Sequence, residues 1–115
     1  MSYRVEISSI AEAEVDSAFL RLSQVISPEK ARQWHQGLLK TIESLSEMPK
    51  RCPLARENKY FSQEIRQILY SRGRNTYRIL FAVIEEIEVS TVRIFHVRYG
   101  TQQVLGESPE SDQTQ

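Results

Sequence analysis

Residues 3–7 (Tyr3-Arg4-Val5-Glu6-Ile7) alternate apolar and charged, the period-two pattern of a half-buried strand. After Ile7 the period changes. Ser9-Ile10-Ala11-Glu12 reads as a capping box, with the Ser9 hydroxyl and the Glu12 carboxylate satisfying each other's backbone N–H groups. Val15, Ala18, Phe19, Leu22 and Ile26 then recur at helical spacing and form one apolar stripe. Ser27 and Pro28 supply an N-cap and a first-turn proline for a second helix. Its stripe is Ala31, Trp34, Leu38, Ile42 and Leu45, and Pro49 is expected to end it. The restart directly after Ile26 implies a tight turn, hence two antiparallel helices.

From 51 to 62 the pattern breaks into a polar connector with no period. Residues 65–72 form the next expected strand, and Arg72-Gly73-Arg74-Asn75 carries turn residues. Residues 76–84 (TYRILFAVI) are almost continuously apolar, as in a central strand covered on both faces for most of its length. A charged turn, Glu85-Glu86-Ile87-Glu88, leads into a last strand over 89–99. Short turns join these three strands, so an antiparallel meander is expected. The fold class is therefore α+β: an N-terminal strand, an antiparallel helix hairpin, then the meander. One domain is expected over 1–103, followed by a polar, acidic and disordered tail over 104–115. A helix hairpin covers only one face of such a sheet, which leaves the other face open.

Composition changes this picture little. With 40% hydrophobic and 26% charged residues, a chain of 115 residues is an ordinary globular domain. Cys52 is the only cysteine, so no internal disulfide is possible, and it has no Cys or His neighbour that would suggest a metal site. The first ten residues contain no apolar run of signal-peptide length, and no segment approaches the roughly 20 apolar residues of a membrane span. A soluble cytoplasmic protein without metal or cofactor is expected. No phosphate-binding glycine loop, HExxH or GxSxG is present.

Charge is more informative. The net charge is zero, but residues 50–100 hold 10 basic against 5 acidic residues, while 101–115 hold none against 3. The meander is thus the cationic part of the fold. On the strand over 76–84, Tyr77, Ile79, Phe81 and Val83 share one face, and their bulk suits the helix side. Arg78, Leu80 and Ala82 share the other. On the last strand Phe95, Val97 and Tyr99 alternate with Ile94, His96 and Arg98. Arg78, His96 and Arg98 are therefore expected together on the open face, with Arg66 beside them. Such a cationic surface with one imidazole suits a phosphate backbone, or equally the acidic side chains of a partner peptide. Structural readings stand beside these: an ion-pairing arginine and a hydrogen-bonded histidine.

At this point the chain resembles a known family. The order strand, helix hairpin, connector, then Tyr77-Arg78-Ile79-Leu80-Phe81-Ala82-Val83 and Val92-Arg93-Ile94-Phe95-His96-Val97-Arg98-Tyr99-Gly100, is similar to the RelE/ParE superfamily of type II toxin–antitoxin toxins. The two strand motifs look closest to the ParE branch. The resemblance implies a toxin that binds a cellular target, DNA gyrase in that branch, and is neutralised by a cognate antitoxin. The alternatives it offers are a RelE-like, ribosome-dependent mRNA endonuclease and a degenerate non-toxic homologue. In the endonuclease reading Arg78 and His96 are the catalytic candidates, Arg78 as the phosphate-binding arginine. Arg66, Arg72, Arg74, Arg98 and Tyr99 are candidates for target or antitoxin binding. After Gly100 the chain reads Thr101-Gln102-Gln103-Val104, with no later Tyr, Lys, Arg or His. Family ribonucleases place basic and aromatic groups there, so this departure weighs against catalysis.

Overall fold

A computed structural model describes residues 2–72 and 75–100. The element order is β1 (Arg4–Ile7), α1 (Ser9–Val25), α2 (Pro28–Glu43), β2 (Arg66–Arg72), β3 (Asn75–Ile84) and β4 (Thr91–Tyr99). Three 3₁₀ turns, at Ser44–Ser46, Pro49–Arg51 and Arg56–Tyr60, fill the connector between α2 and β2. The sheet order is β1-β4-β3-β2. β2, β3 and β4 form the expected antiparallel meander. β1 joins it parallel to β4, from Arg4 opposite Thr91 to Ile7 opposite Ile94, so the sheet as a whole is mixed.

The helical stripes bury as their spacing dictates. Ala11, Val15, Ala18 and Leu22 of α1 and Ala31, Trp34, Leu38 and Ile42 of α2 pack onto Tyr77, Ile79, Phe81, Val92, Ile94 and Val97 of the sheet. Each large apolar side chain removed from water there contributes on the order of 1.5–3 kcal/mol. Three boundaries differ from the sequence reading. The N-cap of α1 is Ser8 rather than Ser9: its hydroxyl accepts from the Ala11 N–H at 3.1 Å and donates to the Phe95 carbonyl at 3.1 Å. Ser8 is still extended, and its own N–H continues the sheet ladder to the Ile94 carbonyl. Ile26 lies past the helix as C-cap and is 50% exposed. α2 stops at Glu43, before Pro49, and Leu45 is buried from the following 3₁₀ turn.

The sheet's second face is not open. The connector folds back over it, with Ala55 N–H on the Ile65 carbonyl (2.7 Å) and Gln67 N–H on the Pro53 carbonyl (3.1 Å). The Asn58 side chain accepts from the Ile65 N–H. Beneath it a second, smaller core gathers Ala55, Ile65, Leu80 and Ala82, with Phe95 against it. Both faces of β3 are therefore covered from Tyr77 to Ala82, as its unbroken apolar run anticipated.

A register shift between Leu80 and Phe81 puts Leu80 opposite His96 and Phe81 opposite Ile94, leaving Phe95 as the extra residue. This bulge resets the alternation of β4. Ile94 joins the helix-side core and Phe95 moves to the opposite one, reversing the assignment that strict alternation gives them.

Gly37 fixes how close α2 lies to β2. The Tyr70 hydroxyl passes over it to donate to the Trp34 carbonyl at 3.0 Å, and a Cβ on Gly37 would sit 2.1 Å from that hydroxyl. Gly37→Ala is expected to lower stability by about 1–2 kcal/mol in urea unfolding, because the overlap outweighs the gain in helix propensity. In a Tyr70→Phe background the loss should shrink; an equal loss in both backgrounds would refute this origin.

Candidate functional site

Arg78 sits mid-strand in β3, and its side chain leaves the sheet on the face opposite the helices. There it meets the turn Arg56–Tyr60 rather than solvent. Its Nη2 donates to Glu57 Oε1 at 2.5 Å and its Nε to Gln67 Oε1 at 3.1 Å. Arg78 is 4% exposed and Glu57 wholly buried, so the pair brings opposite charges together out of water. The expectation of Arg78 on an open cationic face is thereby corrected. One terminal nitrogen of Arg78, Nη1, is buried without a hydrogen-bond partner. Arg78 borders a cavity of about 420 Å³ shared with Arg56, Thr76 and Gly100.

Arg98 lies directly across from Arg78 in the β3–β4 register. Two like charges opposite one another are unfavourable, and each is met by its own carboxylate. For Arg98 this is Glu14 of α1, with Nη1 at 3.8 Å. Glu14 also accepts from the Val97 N–H at 2.8 Å and has His96 Nδ1 at 3.2 Å. β1 pairs only as far as Ile94, so among the described residues the outer edge of β4 beyond it has no strand neighbour. Glu14 caps that edge at Val97, the kind of contact that blunts an exposed strand. His96 and Arg98 are thus brought together around Glu14, while Arg78 pairs with Glu57.

The remaining candidates are tethers between elements. Arg66 donates to the Cys52 carbonyl at 2.6 Å and pairs with Glu64, holding the connector against β2. Arg72 donates to Gln33 Oε1 at 2.9 Å, joining the end of β2 to α2. Arg74 lies outside the described residues, as does the tail over 104–115. Tyr99 donates to Asn75 Oδ1 and stacks on Tyr77, with the Arg21 guanidinium 5.8 Å from its ring centre. Arg21 also donates to the Tyr77 hydroxyl at 2.8 Å. Burial pushes the Tyr77 hydroxyl pKa up, with Arg21 pulling against it, which leaves it a poor proton donor. These groups line a groove of about 350 Å³ between α1 and the β3–β4 ends. Glu14, Arg21 and Glu57 were not anticipated, since their partners lie 21–83 residues away in sequence. Among the described residues no helix is long and apolar enough to cross a membrane, and no group of three or more His, Cys, Asp or Glu could hold a metal.

Comparison with known proteins places this geometry. A family described as "ParE toxin of type II toxin-antitoxin system, parDE" matches residues 5–103. The chain belongs to this ParE toxin family. Among solved structures it is similar to a chain of the "Chromosomal ParDE TA system from P. aeruginosa", with a TM-score of 0.65 and 15% identity over 85% of this chain and 96% of that one. At that identity the likeness speaks for the fold. No curated protein matches in sequence.

The buried pair makes a sharp stability prediction. Arg78→Ala or Glu57→Ala alone should cost about 3–5 kcal/mol in urea unfolding, because each strands a buried charge. Arg78→Met combined with Glu57→Leu should cost much less than the two single losses together. Strict additivity would show that the two side chains act independently.

Proposed function

We propose that the chain is a toxin that acts in the cytosol by binding a protein target, DNA gyrase in the reading its family supports, and that a cognate antitoxin holds it in check. The observation that carries this reading over mRNA cleavage is the neutralisation of Arg78 by Glu57. Transferring the charge of a scissile phosphate through its transition state needs net positive charge at the phosphate. Here the one arginine at the family's phosphate-binding position spends its charge on an internal carboxylate. His96 likewise faces Glu14 rather than an open surface. The sequence after Gly100 carries no Tyr, Lys, Arg or His to assist a phosphoryl transfer. A binding toxin requires none of these groups.

The test uses purified protein in two assays. Supercoiling by gyrase should be inhibited, while a cell-free translation reaction given the same protein should keep its mRNA intact. Ribosome-dependent cleavage with unimpaired supercoiling would reverse the assignment to the endonuclease. Inactivity in both would leave the degenerate homologue as the reading.

A further inference from the structure

The two faces of the sheet are covered in different ways. On one, Leu22, Trp34, Leu38 and Ile42 of the helices are buried in a large apolar core. On the other, the connector over 53–61 is held mainly by polar contacts. Along its seam with β2 the Ala55 N–H donates to the Ile65 carbonyl, the Gln67 N–H to the Pro53 carbonyl and the Ile65 N–H to Asn58 Oδ1. Beneath the seam Glu57 meets Arg78. Ala55 is the connector's contribution to the second core, whereas Leu54, Tyr60 and Phe61 point their apolar surface outward and are exposed.

This difference decides which layer lifts first. Separating the helices from the sheet exposes large apolar side chains, which is the dominant cost of unfolding. Lifting the connector returns its seam groups to water, which replaces each lost partner, so the net cost per hydrogen bond is small. Glu57 and Arg78 regain the hydration that their mutual attraction only roughly offset. Both ends of the segment stay fixed, since Cys52 is buried in the main core and β2 follows from Arg66.

We propose that the connector is a strap that opens as one unit while the helices and the sheet stay folded, with the Glu57–Arg78 pair as its latch. The open form bares Arg78 beside Leu80, Ala82 and Phe95, a cationic and apolar sheet face that the closed form hides. The latch therefore sets the fraction of molecules that display a second surface.

Amide hydrogen exchange of the full chain, followed by NMR, tests this. The Ala55, Ile65 and Gln67 amides donate across the seam and exchange when the strap lifts, whereas those of Ile79 and Phe81 lie in the covered centre of β3. After correction for intrinsic rates, the seam amides should exchange at least about tenfold faster than the β3 amides, with one shared opening constant and urea dependence. Glu57→Gln keeps the shape and removes one charge, so it should speed the seam amides by roughly a further tenfold and the β3 amides by much less. Glu57→Leu with Arg78→Met should return the seam to within about threefold of the wild-type rate. Equal protection of seam and β3 amides, or opening constants scattered among the seam amides, would overturn the proposal. So would a Glu57→Gln chain in which both sets accelerate together, or a double variant as fast as Glu57→Gln. The wild-type comparison needs no variant, and it decides the matter even where Glu57→Gln does not fold. Gyrase is absent throughout, so the result is independent of whether the chain inhibits supercoiling.

Discussion

The buried pair between Arg78 and Glu57 is the contact on which the second half of the fold depends. A charge in mid-strand of a central β-strand has to be compensated or reach water. β3 has neighbours on both sides and helices over one face, which leaves only the far face for Arg78. Glu57 meets it there, carried by the 3₁₀ turn Arg56–Tyr60 of the connector. Desolvating two charges roughly offsets their attraction, so the pair adds little net stability. Its effect is positional. Only one placement of the connector puts Glu57 on Arg78, and that placement also lays Ala55 over Ile65, Leu80 and Ala82.

The same logic recurs through the meander and alters the meaning of its charge. Ten basic residues against five over 50–100 suggest a surface waiting for an anion. In three dimensions Arg78 goes to Glu57, Arg98 to Glu14, Arg66 to a carbonyl and Glu64, and Arg72 to Gln33. Four of the arginines that gave the region its sign are ties between segments distant in sequence. Arginine suits this work because its planar fork serves several acceptors at once and it stays charged in a desolvated place. A local excess of positive charge is therefore weak grounds for a nucleic-acid partner when the compensating carboxylates belong to other elements.

Much of the fold was legible, and the failures have definite causes. The helical stripes and the apolar run of β3 are simple local patterns, and burial follows them closely, with Ile26 the exposed exception at the end of the first stripe. The connector has no period, so nothing local said that it would cover the sheet; its information lay in one carboxylate, Glu57, placed opposite one arginine. Phe95 and Ile94 were assigned to the wrong faces because a bulge adds a residue, and alternation has no means of counting it. The cap moved from Ser9 to Ser8 because both are competent, and the choice was made by the sheet hydrogen bond that Ser8 makes to Ile94. In the site, Arg78, His96 and Arg98 were expected together on an open face; Arg78 and Arg98 do lie across from one another, but their charged partners come from the connector and α1. Long-range pairing of that kind leaves no trace in the spacing of a single chain.

These internal pairs also constrain how a partner can bind. A carboxylate arriving from outside at Arg98 or Arg78 replaces Glu14 or Glu57, one ion pair for another, at nearly balanced electrostatic energy. The resident acid is tethered beside its arginine and so acts at a high effective concentration. Exchange there is unfavourable unless something else drives it. Donors not already committed to an internal acceptor are a better origin for affinity, since satisfying them displaces nothing.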